Sequence, residues 1–332
     1  MKALGTALLA VAISTAIVGP VGARDLEPCF GRRPTIVGTE RGETLHGTNG
    51  VDVIFAAGGD DTIIGRGGDD LICAGTGDDI VKGDEGNDKL FGATGVDRMY
   101  GADGTDEIYS GGSSTSQLEL IDGGSGDDEL VGESSPEEIR GGIGSDKISG
   151  GGSLLNVFDE LYGDADDDDI NGMQALIFGG QGDDLLTDGT VSFAESLGPV
   201  KVDLKSGKAI GEGLDELNGI DDVIGSNFDD EIVGDDDDNT IEGGAGNDLI
   251  DNSDGADVVD AGDGNDTCAT LESTTNCENT GSVRAVTGSA ESSTGISSGI
   301  VLVLVAGAMV LGGLLALVFR LGRKRAGSAD PA

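Results

Sequence analysis

Apolar residues recur at every ninth position through a long stretch of the chain. From residue 38 to residue 109 the sequence divides into eight units of nine residues without a gap. Position eight of these units is always apolar and is held by Leu45, Ile54, Ile63, Ile72, Val81, Leu90, Met99 and Ile108. Position four is glycine in seven of the eight units. Each unit therefore predicts a glycine-rich turn followed by a three-residue strand whose middle side chain points inward.

The same period returns in shifted frames further along the chain. The later units lie at 123–149, 163–171, 179–187 and 225–269. The stretches without the pattern, which we predict to be loops, are 110–122, 153–158 and 188–224. Inside the last of these, residues 200–204 alternate like a strand, and Ser206 with Gly207 is typical of a turn. The sequence therefore predicts a small hairpin or an irregular extension there.

Aspartate occupies position six in seven of the first eight units. If two units make one coil, units two apart stack on the same side, about 4.8 Å apart. Aspartates 18 residues apart would then face one gap between turns. The pairs predicted in this way are Asp52 with Asp70, Asp61 with Asp79, Asp70 with Asp88, Asp79 with Asp97, and Asp88 with Asp106.

Composition and charge favour a chain that folds around cations. Glycine counts 61, tryptophan 0 and aromatic residues 3%, so a repetitive architecture is favoured over one large core. The net charge of −44 opposes a compact state unless cations neutralise it, and it disfavours nucleic-acid binding. A disordered acidic chain and a solvated acidic surface are the alternatives that composition leaves open. The regular placement of the aspartates favours the metal-binding interpretation.

Carboxylates and turn carbonyls form a ligand set that suits calcium. Ca²⁺ takes six to eight hard oxygen ligands, whereas Mg²⁺ is smaller and retains its waters. Zinc and copper prefer imidazole or thiolate, and His46 is the only histidine of the chain. With one histidine and no nucleophile motif, the sequence predicts no catalytic centre. We therefore predict Ca²⁺ as the cofactor.

Both ends of the chain carry membrane-type segments. Residues 1–23 have a basic start, an apolar run and a small-residue ending, which predicts a cleaved secretory signal peptide. Residues 300–319 are a 20-residue apolar run, long enough for a membrane-spanning helix. A basic cluster at once follows it, which places the tail, 320–332, in the cytoplasm and the rest outside. Residues 279–299, rich in serine, threonine, glycine and alanine, are predicted to be a flexible linker.

Four cysteines fit an oxidising compartment. Cys268 and Cys277 lie nine residues apart, both at position eight, and are predicted to form a disulfide that caps the end of the repeats. Cys29 and Cys73 would then pair and pin the N-terminal segment, 24–37, onto the first coils. The alternative is four buried free thiols.

Two units carry a motif specific enough for a family resemblance. The runs Gly83-Asp84-Glu85-Gly86-Asn87-Asp88-Lys89-Leu90-Phe91 and Gly243-Gly244-Ala245-Gly246-Asn247-Asp248-Leu249-Ile250-Asp251 resemble the nonapeptide of RTX (haemolysin-type calcium-binding repeat) proteins. The resemblance implies an all-β fold, a right-handed parallel β-roll, with calcium in the turns. Its blocks would be residues 38–187 and 225–278, separated by the spacer 188–224.

In that family, position-six carboxylates and turn carbonyls bind the metal. Carried over to regular units, the resemblance implies these metal ligands: Asp52, Asp61, Asp70, Asp79, Asp88, Asp97, Asp106, Asp128, Asp146, Asp184, Asp230, Asp248, Asp257 and Asp266. Glu137 and Asn239 replace the aspartate at position six and are left out. Asp168 is also left out, because Asp166 stands where its turn should have glycine.

These features together predict a calcium-binding ectodomain on the cell surface, anchored by one C-terminal membrane helix, and no enzyme. Its role would be structural or adhesive, with a cell-surface partner. One alternative is the accessory repeat region of a secreted toxin or hydrolase-like protein. That alternative needs a separate domain, and the spacer 188–224 is short for one. A simple extracellular calcium buffer is a further alternative.

Overall fold

The fold is an all-β parallel solenoid of about 12 turns. A computed structural model describes residues 29–112, 117–133, 136–151, 159–269, 274–277 and 279–280. Within these residues there is no helix that could cross a membrane. The predicted signal peptide, membrane span and cytoplasmic tail lie outside the described residues, as does nearly all of the predicted linker.

The solenoid is built from short strands. In chain order they are β1 (Ile36–Val37), β2 (Thr44–His46), β3 (Val53–Phe55), β4 (Thr62–Gly67), β5 (Leu71–Thr76), β6 (Ile80–Glu85), β7 (Lys89–Thr94), β8 (Arg98–Asp103), β9 (Glu107–Gly111), β10 (Glu119–Ser125), β11 (Glu129–Val131), β12 (Glu137–Ile143), β13 (Lys147–Ser149), β14 (Glu160–Ala165), β15 (Asp169–Gln181), β16 (Leu185–Ser192), β17 (Lys201–Asp203), β18 (Lys208–Ile210), β19 (Leu214–Ile224), β20 (Glu231–Val233), β21 (Thr240–Glu242), β22 (Leu249–Asp251), β23 (Val258–Asp260), β24 (Thr267–Cys268), β25 (Thr274–Thr275) and β26 (Asn279–Thr280).

From β1 to β13, each strand pairs in parallel with the strand two places further along, so one coil consists of two units. Face one contains β3, β5, β7, β9, β11 and β13, and face two contains β2, β4, β6, β8, β10, β12 and β14. Ile54 pairs with Ile72, and Ile63 with Val81, both 18 residues apart. The predicted two-unit coil is therefore confirmed.

The core is a column of position-eight side chains between the two faces. Ile54, Ile72 and Leu90 are fully buried on face one, and Ile63 and Val81 are fully buried on face two. Apart from the disulfide-bonded Cys73, their neighbours at positions seven and nine are at least partly exposed, because successive strand residues point to opposite sides of the sheet. The inward orientation predicted for position eight is thus confirmed.

Two of the predicted loops are partly wrong. Within 110–122, residues 119–122 begin β10, where Ile121 is buried and pairs with Met99 of β8. That coil is 22 residues long instead of 18, so the turn absorbs the insertion and the strand register survives. Within 188–224, β16 continues to residue 192 and β19 covers 214–224. Buried apolar residues carry the solenoid through this region although the glycine pattern fades.

The hairpin expected in the spacer is present. β17 and β18 pair antiparallel, with Val202 opposite Ala209, and β18 also pairs antiparallel with β19. β17 in turn pairs in parallel with β20. The hairpin therefore adds two strands to face one between the two blocks of repeats.

Both predicted disulfides are formed. Cys29 is bonded to Cys73 of β5, and Cys268 of β24 is bonded to Cys277. Phe30, next to the first bond, packs on Phe91 with ring centroids 3.8 Å apart. Covalent bonds thus tie the chain at both ends of the repeat array.

Candidate metal centre

The position-six carboxylates lie inside the solenoid although they are charged. Asp88 is 2% exposed and Asp106 is fully buried. Each position-six aspartate is the last residue of its turn and directly precedes a strand. Its backbone N–H is therefore oriented as in a strand, toward the neighbouring coil. The N–H of Asp70 donates to Oδ1 of Asp88 at 2.8 Å, and the N–H of Asp88 donates to Oδ1 of Asp106 at 2.7 Å. Each carboxylate therefore binds the backbone of the preceding coil.

This contact repeats along two rows of turns. Row one, whose turns lead into face one, carries the ladder Asp52, Asp70, Asp88, Asp106, Asp128, Asp146, Asp168, Asp184 and Asp215. Row two, whose turns lead into face two, carries Glu43, Asp61, Asp79 and Asp97. The second block adds Asp230, Asp248 and Asp266, and on its other side Asn239 and Asp257.

The five aspartate pairs predicted from stacking are all neighbours in these ladders. The contact within each pair runs from a backbone amide to Oδ1, which leaves the other oxygen, Oδ2, directed elsewhere. That second oxygen is buried and accepts no hydrogen bond in Asp61, Asp70, Asp79, Asp88, Asp97, Asp106, Asp128, Asp146, Asp168, Asp184 and Asp248. A buried carboxylate oxygen without a partner is costly, so these atoms require a cation or a proton.

Oδ2 and a backbone carbonyl oxygen of the next coil lie near the same point, beside the glycine that begins the turn. A Cβ built on Gly65 would lie 2.6 Å from Oδ2 of Asp70 and 2.6 Å from the carbonyl oxygen of Gly83. The two oxygens therefore converge beside a residue that has no side chain. The same pair of oxygens converges beside Gly101, where they belong to Asp106 and Gly123.

The electrostatics of the ladder follow from burial. Burial raises the pKa of most ladder aspartates from 3.8, neighbouring carboxylates in most cases raise it further, and the amide hydrogen bond only partly opposes this. The pKa reaches about 6 in Asp88, Asp97, Asp146, Asp184 and Asp248, about 7 in Asp70, Asp79, Asp106, Asp128 and Asp215, and about 8 in Asp168. Without a cation, these groups resist ionisation.

Three predicted ligands differ from the rest because hydrogen bonds reach their Oδ2. Oδ2 of Asp52 accepts from Thr48, that of Asp230 from Ser226, and that of Asp257 from Nδ2 of Asn252. Burial raises the pKa of Asp52, but the hydrogen bonds outweigh burial and hold this pKa below its usual value.

Three aspartates that make the ladder contact were left out of the predicted ligands. Asp168 belongs to row one although Asp166 replaces the turn glycine, and Asp166 adopts the positive φ of 77° that glycine would supply. Asp159 accepts from the N–H of Glu137 at 3.1 Å. Asp215, in the predicted spacer, accepts from the N–H of Asp184 at 3.3 Å. Its signal was the Gly211-x-Gly213-x-Asp215 spacing, which repeats positions two, four and six of a unit.

The substituted residue Glu137 reaches protein donors. Its Oε1 accepts from the hydroxyl of Ser110 at 2.9 Å and from the N–H of Glu133 at 2.8 Å. Asn239 likewise keeps the amide contact, donating its N–H to Asp257. Both residues therefore keep the hydrogen bond between coils, although neither supplies an aspartate carboxylate at position six.

The donor set fits a hard divalent cation held largely by backbone. Among the described residues, no three histidine, cysteine, aspartate or glutamate side chains lie close enough to hold a metal together. One or two carboxylates with several turn carbonyls would have to supply the ligands. Ca²⁺ accepts carboxylate and carbonyl oxygens in flexible geometry, whereas zinc requires nitrogen or sulfur. The Oδ2 atoms without a hydrogen-bond donor and the nearby carbonyl oxygens match the ligands that Ca²⁺ accepts.

Comparison with known proteins supports this chemistry. A family model for the RTX calcium-binding nonapeptide repeat (4 copies) matches residues 37–72, 74–108, 122–153, 158–174, 217–250 and 233–268. Together these segments cover just over half of the chain. No curated protein matches the chain significantly.

Proposed function

Because the chain belongs to the family of RTX calcium-binding nonapeptide-repeat proteins, whose repeats bind Ca²⁺, we propose that it is a non-enzymatic surface protein whose solenoid is completed by calcium. The observation that carries the proposal is the row of buried Oδ2 atoms without a hydrogen-bond donor. The ions would be held by these atoms and by the turn carbonyls that converge on them.

Bound calcium would offset the free-energy cost of burying so many carboxylates. An uncompensated buried charge costs several kcal/mol, and removing the partner of a buried ion is strongly destabilising. The amide hydrogen bond to Oδ1 compensates only part of this cost, because Oδ2 still lacks a partner. The solenoid therefore depends on calcium for its stability at neutral pH. Without calcium, most ladder carboxyl groups would have to be protonated for the fold to persist.

An extracellular, membrane-anchored location is part of the proposal. Its support is the predicted signal peptide at 1–23, the apolar run at 300–319, and the two disulfides, which are typical of an oxidising compartment. Extracellular calcium is also abundant enough for the weaker sites of secreted modules. We assign the solenoid a structural or adhesive role toward another surface.

Chelation tests the calcium part of the proposal. Full-length protein is compared by circular dichroism in saturating Ca²⁺, in Mg²⁺ and in excess chelator. At neutral pH we expect a β spectrum and cooperative unfolding only with Ca²⁺. Asp88→Asn should require more Ca²⁺ for folding, whereas Asp263→Asn, which removes an exposed charge, serves as the matched control. An unchanged β spectrum in chelator would contradict the proposal.

The surface location needs a separate test. Intact cells producing the protein are treated with a membrane-impermeant amine reagent, and the labelled lysines are located by mass spectrometry. We expect labelling at Lys147 and Lys208 and none at Lys324.

Attachment of these cells to a second surface is then measured with and without calcium, and equal attachment in both conditions would argue against calcium-dependent adhesion.

A further inference from the structure

In two aspartate turns of the array, both the N–H and the hydroxyl of position two reach the carboxylate at position six. They are turn 47–52, which begins row one, and turn 225–230, which begins the second block. Position two holds a hydroxyl residue in each, Thr48 and Ser226. The N–H of Thr48 donates to Oδ2 of Asp52 at 2.7 Å, and its hydroxyl donates to the same atom at 2.9 Å. The N–H of Ser226 likewise donates to Oδ2 of Asp230 at 2.6 Å, and its hydroxyl lies 2.7 Å from Oδ1 and 2.9 Å from Oδ2 of the same carboxylate.

The other oxygen of each carboxylate is also satisfied within the protein. In interior turns Oδ1 accepts the amide of the preceding coil, but no such coil with an acidic residue precedes these two turns. The hydroxyl of Thr35 takes that place at 3.0 Å from Oδ1 of Asp52. The N–H of Val200 takes it at 2.8 Å from Oδ1 of Asp230. Both carboxylates are therefore complete without a metal.

The backbone conformation at position two also distinguishes turns 47–52 and 225–230 from the interior turns. Position two has positive φ in the interior turns that lack an Oδ2 donor, for example 83° at Arg66, 72° at Asp84 and 85° at Ala102. Thr48 and Ser226 do not have positive φ. Their amides consequently face the carboxylate, and an N–H pointing at a site repels a cation.

We propose that Thr48 and Ser226 close turns 47–52 and 225–230 to calcium, so that row one and the second block each begin with a turn that is complete without metal. The inference rests on the proposed function, because it divides the calcium sites of that function into open and closed turns. It removes Asp52 and Asp230 from the predicted ligands. Row one and the second block then each have a metal-independent first turn on which their calcium-dependent turns stack.

Calcium stoichiometry tests this division. Full-length protein is stripped with chelator and dialysed to equilibrium against saturating CaCl₂, and calcium per chain is measured by atomic absorption. Asp88→Asn and Asp248→Asn, in open turns, should each lower the stoichiometry by about one ion. Asp52→Asn and Asp230→Asn should leave it unchanged.

Opening a closed turn supplies the complementary measurement. Thr48→Gly removes the hydroxyl and permits positive φ, so we expect a gain of about one ion per chain. Thr48→Ser keeps the hydroxyl and should bind as the unmodified protein does. Ala102→Gly makes the same kind of change in an open turn and should also leave the stoichiometry unchanged.

The outcomes separate the two proposals. A loss of calcium in Asp52→Asn equal to that in Asp88→Asn would overturn the closure of turn 47–52 while leaving calcium binding intact. An unchanged stoichiometry in Asp88→Asn would overturn the proposed function itself. If Asp52→Asn does not fold, Thr48→Gly decides: a folded variant without additional calcium contradicts the closure.

Discussion

Acid should partly replace calcium in holding the solenoid together. In calcium-free buffer we expect the protein to be more stable near about pH 5 than near about pH 8. The reason is that burial raises the pKa of Asp70 and Asp106 to about 7, whereas an unfolded aspartate titrates near 3.9. A raised folded-state pKa contributes stability that is complete below about pH 4 and is lost as pH rises through about 7.

The magnitude follows from the number of ladder groups. A rise in pKa from 3.8 to about 6 or 7 corresponds to about 3–4 kcal/mol for a fully buried group. Because water can enter the turns, we take about 1 kcal/mol for each. The groups on row one with such a rise are Asp70, Asp88, Asp106, Asp128, Asp146, Asp168, Asp184 and Asp215. Their sum, about 8 kcal/mol, is comparable with the whole stability of a typical domain.

Urea unfolding at a series of pH values measures this effect, with and without saturating calcium. Bound calcium favours the ionised carboxylates, so the calcium-loaded protein should show the opposite trend and lose stability toward acid. Asp88→Asn should flatten the calcium-free profile. Asp263→Asn changes the net charge equally but lies on the surface, so it separates the ladder from general charge repulsion.

A calcium-free protein that is equally stable at both pH values, or more stable at the higher one, would refute the reasoning. It would mean that the ladder carboxylates are ionised at no cost in the folded chain. The same conclusion would follow if Asp263→Asn altered the profile as much as Asp88→Asn.

Two further outcomes are expected from the turn glycines and the disulfides. Gly77→Ala should destabilise the calcium-loaded protein by about 1–3 kcal/mol in thermal unfolding, because φ is 131° and the new Cβ would lie 2.5 Å from the carbonyl oxygen of Gly59. Gly50→Ala, with no atom within 4 Å of its Cβ, should change stability by less than about 0.5 kcal/mol, and equal effects would contradict the explanation. Replacing Cys29 and Cys73 together by serine should cost about 2–4 kcal/mol in urea unfolding, and an unchanged midpoint would show that the bond contributes nothing.

The nine-residue period was enough to predict the strands, the inward column and the stacked aspartates, because each follows from side-chain alternation and a constant coil length. Both cysteine pairs also followed, since Cys268 and Cys277 share position eight of adjacent units and leave Cys29 to pair with Cys73. The period could not show that Ile121 continues the column, because a four-residue insertion in a turn shifts the frame without altering the strand that follows. The sequence pattern therefore underestimates the extent of the solenoid.

The chemistry of individual turns was harder to predict. Asp215 was missed because Ile210 stands where its turn should begin with glycine, although the positions that matter for the backbone, Gly211 and Gly213, were present. The closure of turn 47–52 was also invisible, because a threonine at position two closes the turn only when its φ is negative. Ser253 also occupies position two of its unit, but its φ is 54° and its hydroxyl donates to the carbonyl oxygen of Gly234 instead. Local conformation decides these cases, and the spacing alone does not contain it.

Calcium-soaked crystals, measured near a wavelength at which calcium scatters anomalously, test the central claim most directly. We predict anomalous peaks about 2.3–2.6 Å from Oδ2 of Asp70, Asp88 and Asp106. Turns without such peaks beside these three carboxylates, in a fully folded solenoid, would contradict the account.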